Sequence, residues 1–447
     1  MEARVVPLVI ANGTVVTLGD DNRVLAGHDV VCEGGRIARI APHGAVAAGA
    51  ARVLDAAGKV VLPGFINAHT HLYSSLARGL AKVKRAADFH QVLEHLWWRL
   101  DRLLALEDCR VSAQVALIEA VRHGTTTVVD HHASPHAVRG SLAELAAAVR
   151  EVGVRASLCY EVSDRDGPEV AEEGIAENAA FLARCRREGD PHLAALFGLH
   201  AAFTLSDATL ASAVAAASEC GAGFHVHVAE AAADQEHSLA EHGERVVERL
   251  HRLGVLGRST IAAHGVHLEG HEIELLAESG TAVVHNPQSN MNNAVGVADV
   301  PRMLAAGVLV GLGTDAMTAD MLEELRAALF VRHLAAGDPA AAFAETVALL
   351  TSGNAAIAER VFPGQGVGVL APGHVADLAV LDYDPPTPLD GETILGHLVF
   401  GLSQARVDAT VVGGRVLMAA GRLELDLDEA EVMAHARERA AALWERF

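Results

Sequence analysis

Residues 8–62 alternate apolar and polar positions between turns rich in Gly, Asn and Asp, as in LVIANGTVVTLGDDNRVLAG and DVVCEGGRIARIAP. A period of two belongs to short antiparallel strands with one face buried. The same pattern returns in HVADLAVLDYD at 374–384 and in ARVDATVVGGRVLMAAGRL at 405–423, where Gly413 and Gly414 mark a tight hairpin. The middle of the chain follows a different rule. Short β-branched or apolar runs at 64–69, 124–129, 154–161, 193–200, 222–228, 259–264, 281–286 and 309–315 alternate with Ala/Leu/Glu/Arg-rich stretches such as 141–152, 169–187, 206–219, 235–253 and 269–279. Strand and helix in turn, eight times over, predict an α/β fold of the (β/α)8 TIM-barrel type. The expected domains are a small β-sandwich built from residues 1–62 and 366–447, the latter with a terminal helix, and a barrel over 63–365. Residues 81–108 form a helical insertion after the first barrel strand, placed to cap the mouth and carrying Trp97 and Trp98.

In a barrel, the C-terminal ends of all strands open on one mouth, where catalytic groups sit. Here those ends are polar. His69 and His71 close the first strand, Asp130 the second, His200 the fourth, His227 the fifth, His264 the sixth, His285 the seventh and Asp315 the eighth. His69 and His71 are two residues apart, so a strand presents both rings on one face. With His227 and Asp315 they make three imidazoles and a carboxylate, a set that holds one divalent ion and leaves room for water. Such an ion lowers the water's pKa to about 7 and yields a nucleophile near neutral pH. Asp315 can also take the water's proton, and His264 can orient the attack. Glu230, three residues past His227, suits proton delivery to a nitrogen; its plainer role is a carboxylate at a helix N-terminus.

Candidate substrate contacts are His200, Asn290, His131 and Trp97. Each has a structural alternative: a wall histidine for His200, a turn-forming loop for the stretch around Asn290, a supporting network for Asp130, His131 and His132, and core packing for Trp97 and Trp98. His225 shares the inward face with His227 and reads as packing or support.

Composition narrows the partners. A formal charge of −22 over 447 residues repels phosphate backbones and anionic lipid. A small molecule is the expected partner, with neither nucleic acid nor membrane. The five scattered cysteines and the absence of a secretory pattern at the N-terminus fit a cytoplasmic protein. The lysines are Lys59, Lys82 and Lys84, so no middle strand carries one that could be carbamylated to bridge two metals. One metal per chain is expected, zinc first and iron compatible. No cluster of Arg or Lys flanks the motifs, with Arg78 and Arg302 left open as anion contacts.

The segments Pro63-Gly64-Phe65-Ile66-Asn67-Ala68-His69-Thr70-His71, His227-Val228-Ala229-Glu230, Ala263-His264 and Leu312-Gly313-Thr314-Asp315 resemble the amidohydrolase superfamily, as does the return at Gly366–Leu378. The resemblance spans nearly the whole chain and points to the triazine hydrolase and cytosine/guanine deaminase branch, which uses one metal. Asp130-His131-His132-Ala133-Ser134-Pro135 and His285–Asn293 are similar to the SsnA group of aminohydrolases. The resemblance implies that His69, His71, His227 and Asp315 bind metal and that Glu230, His264 and Asp315 are catalytic. It also leaves room for a homo-oligomer, since relatives are often dimers or larger. The expected reaction is hydrolytic deamination of a small nitrogen heterocycle or amidine-type carbon. Hydrolysis of a cyclic amide, or loss of another group such as halide, is the alternative at the same site. A barrel turned binding or assembly protein would have lost a ligand or a carboxylate, and none is missing.

Overall fold

The computed structural model describes residues 7–19, 22–45, 49–81 and 83–447; Lys82 lies outside them. Two parallel sheets occupy the middle. One holds Phe65–Thr70, Thr125–Asp130, Arg155–Leu158 and Leu193–Ala195. The other holds Phe197–Ala201, Phe224–Val228, Ile261–His264, Ala282–His285 and Val310–Leu312. Every residue of Thr125–Asp130, Ile261–His264 and Ala282–His285 is buried. That is what a parallel strand covered on both faces requires. The expected strand at 193–200 is broken at Leu196. Its first part pairs with Ala156–Leu158 and its second with Phe224–His227, so the chain passes from one sheet to the other there. Single parallel bridges join Val162 to Leu199 and, at the opposite edges, Thr70 to Asp315.

Helices return each strand to the next. Ser141–Val152, Pro168–Glu188, Asp207–Glu219 and Gly270–Ser279 lie where the sequence pattern puts them. The expected helix at 235–253 is two, Ala232–His242 and Val246–Arg252, because Gly243 takes φ 69° and ends the first. In the insertion, Asp88 caps Phe89–Val92 by accepting from the Gln91 N–H. A π-helical turn, Leu93–Trp97, follows. Such turns are rare and often functional; this one precedes Trp98–Leu103 and places Trp97 and Trp98 side by side over the strand ends.

The strands of the two chain ends form one nine-stranded sheet. Across it run Arg422–Leu423, Arg415–Ala419, Arg406–Val412, Leu378–Asp382, Val60–Pro63, Leu8–Val16, Val24–Glu33 and Arg36–Pro42, with Arg52–Asp55 also paired to Leu8–Val16. The ends meet where Leu378–Leu381 pairs antiparallel with Val60–Pro63. Ile10, Val30 and Ile37 from one side share a core with Val380, Ala409 and Val411 from the other. The last helix, Glu429–Arg446, lies on Leu106–Arg122, tied by Arg439 Nε to Asp108 at 2.7 Å.

Candidate active site

Strand Phe65–Thr70 carries His69 and releases His71 just past its end, and Phe224–Val228 carries His227. Asp315 follows Val310–Leu312 through Gly313, where any Cβ would sit 2.8 Å from the His69 nitrogen. Glycine is what lets the eighth strand end close against the first. The Nε2 atoms of His71 and His227 are 3.3 Å apart. Asp315 Oδ1 is 3.0 Å from His71 Nε2 and 3.6 Å from His69 Nε2. The ligand atoms of His69, His71 and His227 all lie within 4.8 Å of one another, as do those of His69, His264 and Asp315.

Each ligand ring is held from behind. His71 Nδ1 donates to the His131 carbonyl at 2.5 Å and His227 Nδ1 to the His200 carbonyl at 2.9 Å. His69 Nδ1 bonds His225 Nε2 at 2.8 Å. These bonds fix each tautomer and turn every Nε2 inward. His69 Nε2 is buried and has no hydrogen-bond partner. A buried acceptor facing three more donor atoms is expensive unless a cation sits among them, so the residues fit a divalent metal. Burial lowers His69 to about 3, which keeps it a neutral ligand. Burial also pulls His71 down, but the bond to Asp315 outweighs it and raises the ring to about 9.

Two carboxyls flank His264, and their environments push them apart. Glu230 is 3.4 Å from His264 Nε2 and accepts from Asn293 Nδ2 at 3.3 Å. Burial, followed by the charges of Asp315 and Asp234, raises Glu230 well above the usual range, so it holds a proton. Burial pushes Asp315 the same way, but the imidazoles of His69 and His71 outweigh it and hold the group well below that range. Ser289 Oγ donates to Asp315 Oδ2. A protonated and an ionised carboxyl beside one imidazole make an acid and a base. The backbone is strained at this point: Ala229, His264 and Asp315 are left-handed at φ 47°, 74° and 53°. Non-glycine residues seldom hold that conformation outside functional sites.

A cavity of about 710 Å³ opens over these groups. His71, His200, His227, Glu230, Asp315 and Trp97 line it. His131 and Asn290, expected at the substrate, do not. His131 is fully buried, its Nε2 3.1 Å from the carbonyls of Leu199 and His225 and its Nδ1 3.1 Å from Glu161. Asn290 is also buried and accepts from His264 Nδ1 at 2.9 Å. Both lie behind groups that line the cavity, because their rings and amides are consumed in holding those groups.

The model of the amidohydrolase family matches residues 60–417. This chain belongs to the amidohydrolase family. It is 33% identical over 446 residues to a 5-methylthioadenosine/S-adenosylhomocysteine deaminase of Pelotomaculum thermopropionicum, covering 98% of this chain and 99% of that one. It is 36% identical to the Desulforudis audaxviator protein of the same name, over 93% and 95% of the two chains. A zinc-bound adenosine deaminase from Xanthomonas campestris superposes with a TM-score of 0.86 at 27% identity, over 98% of both chains. The expectation of a hydrolytic deaminase acting on a nitrogen heterocycle agrees with these relatives. The amidohydrolase is a hydrolase of carbon–nitrogen bonds other than peptide bonds. Among the described residues, no helix is long and apolar enough to cross a membrane.

Asp101, Glu161 and Phe203 also line this amidohydrolase's cavity and take no role from the sequence pattern, while Ser289 and Asn293 line it from the 285–293 segment, where Asn290 is the residue expected at the substrate. Glu161 had a signal. It ends the apolar run 154–161, the one strand end for which no polar role was drawn. Asp101 had none, since it lies on helix Trp98–Leu103 in the insertion.

Proposed function

We propose that this amidohydrolase deaminates the adenine ring of an adenosine derivative, using one zinc ion held by His69, His71, His227 and Asp315. The reading rests on the two carboxyls set beside His264: Glu230 3.4 Å from its Nε2, and Asp315 within 4.8 Å of it among the candidate metal ligands. Its catalytic unit is residues 63–365, read as a closed (β/α)8 barrel. The bridges Thr70–Asp315 and Val162–Leu199 support that closure. Residues 1–62 and 366–447 are read as the supporting sandwich, and the enzyme as cytoplasmic, which suits five free cysteines.

A divalent cation in this donor set supplies Lewis acidity, making water a nucleophile near neutral pH. The chain's own groups handle the protons. Asp315 removes a proton from the attacking water as its oxygen bonds to the ring carbon bearing the amino group. Glu230 protonates the adjacent ring nitrogen, so the electrons displaced by attack rest there. His264, oriented by Asn290, accepts a hydrogen bond from the attacking water through Nε2 and aims it at the reacting carbon. Asp315 then passes its proton to the departing amine. The carbon–nitrogen bond breaks and ammonia leaves, while the hydroxyl proton on the new oxygen passes to Glu230, which regains the proton it gave the ring, and a ring carbonyl remains. Water thus gives its oxygen to the ring and its hydrogens to ammonia and the ring nitrogen.

Ammonia release from a panel of adenosine derivatives by the zinc-loaded chain tests this. Glu230→Gln should lower kcat by about 10²–10⁴-fold, the range for a lost general acid, with metal content unchanged. Ammonia from none of the panel, or a ring-opened acid or free halide as product, would replace this reading with the amidase or dehalogenase alternative.

A further inference from the structure

A second cavity, of about 330 Å³, lies beside the end of strand Ala282–His285, among helices Val300–Ala305, Met321–Ala336 and Phe343–Ala348. It shares no lining residue with the cavity over the metal ligands. That volume falls at the small end of the range for ligand sites, about 300–1,000 Å³. Most of its wall is apolar: Val297, Val300, Leu304, Ala328 and Leu349.

The polar groups in the wall are His285, Arg332, Glu345 and Thr346. Thr346 Oγ1 is satisfied, donating to the Ala342 carbonyl at 2.7 Å. Glu345 is exposed, where water and salt screen its charge. The other two are left open. His285 is 3% exposed, and its Nδ1 has no hydrogen-bond partner. Arg332 is half-buried, with its Nε shut off from water and also without a partner. Among the described residues, no carboxylate pairs with this guanidinium.

Buried polar groups left unpaired cost free energy that a bound partner returns. The planar fork of a guanidinium matches a carboxylate. The wall around it matches a short hydrocarbon body. An inorganic anion would satisfy Arg332 but set its remaining oxygens against apolar side chains.

We propose that this cavity binds a small carboxylate with a branched aliphatic body, its oxygens on Arg332 and its chain against Val300, Leu304 and Ala328. The site is separate from the metal ligands, and binding there is independent of the reaction they support.

Isothermal titration of the zinc-loaded full chain with isovalerate tests this, with isovaleramide and inorganic phosphate as controls. Isovalerate should saturate and bind about tenfold or more tighter than either control, the scale of a charge-assisted pair in an apolar wall. Arg332→Gln should weaken isovalerate about tenfold or more. Ala328→Leu, which fills the cavity, should abolish its binding; the partly exposed Arg332→Gln reads the effect if the leucine variant does not fold. Absence of saturable binding overturns the proposal, as does equal affinity for isovaleramide or for phosphate. Binding that Arg332→Gln leaves intact also overturns it and would put the carboxylate on the zinc ion instead.

Discussion

Arg155 and Asp377 meet where a parallel strand touches the terminal sheet; Arg165 and Asp101 meet behind the cavity wall. Both pairs are buried. In the first, every carboxylate oxygen is used. Asp377 Oδ2 accepts from Arg155 Nε at 3.1 Å, and Oδ1 accepts from the Gly413 N–H at 2.7 Å. Arg155 Nη1 also donates to the Pro191 carbonyl. In the second, Asp101 Oδ1 and Arg165 Nη1 have no partner. A saturated buried pair fixes a joint between parts of the fold. An unsaturated one beside a cavity carries a polar cost that a ligand can relieve.

Breaking the saturated pair should have the largest effect. Arg155→Ala leaves Asp377 buried without its cation and should cost about 3–5 kcal/mol of stability. Denaturant unfolding measures the loss. The kcat/KM of the folded fraction should stay within about twofold, and a larger fall would mean that this joint shapes the site as well.

Glu324 is a third case, unsaturated but away from the cavity. Its Oε1 accepts from the Gln288 N–H at 2.9 Å and its Oε2 has no partner. Burial raises it to about 8, so the folded chain keeps it neutral at pH 7. Unfolded, it titrates near 4.5. Between those values the unfolded state has lost the proton and the folded state has not, so stability is full at low pH and falls as pH rises toward 8. The expected loss is about 2–4 kcal/mol. Unfolding midpoints at pH 5, 7 and 9 with metal held saturating would show it, and Glu324→Gln should flatten the slope. An unchanged slope would assign the pH dependence to other groups.

What the sequence discloses follows from how local each arrangement is. His69 and His71 are legible because a strand's period fixes their common face, and Glu230 because it follows His227 by a short turn. The break at Leu196 is invisible, since one apolar run serves two sheets. Asp101 becomes a cavity group through packing of the insertion over the strand ends, which no local pattern encodes. Asn290 shows the limit most sharply. Helix Pro287–Asn292 turns about 100° per residue. Ser289, Asn292 and Asn293 therefore line the cavity while Asn290 points behind it to His264. A motif names the segment, and the rotation within it decides which amide meets the substrate.

That rotation can be tested, with the smallest of these effects. Asn290 Oδ1 can only accept, so His264 carries its proton on Nδ1 and presents Nε2 toward Glu230. Burial lowers the pKa of His264, which keeps this neutral tautomer in place. Asn290→Ala frees the ring to rotate or change tautomer without touching the cavity lining. The expected result is a fall in kcat of about 10–100-fold, as for other residues that orient a site from behind, with KM within about twofold. Asn290→Asp keeps an acceptor and adds a charge, so it should restore much of kcat while shifting the acid limb of the pH profile upward, as His264 holds its second proton to higher pH. The reverse split, a raised KM with kcat intact, would put Asn290 on the substrate after all.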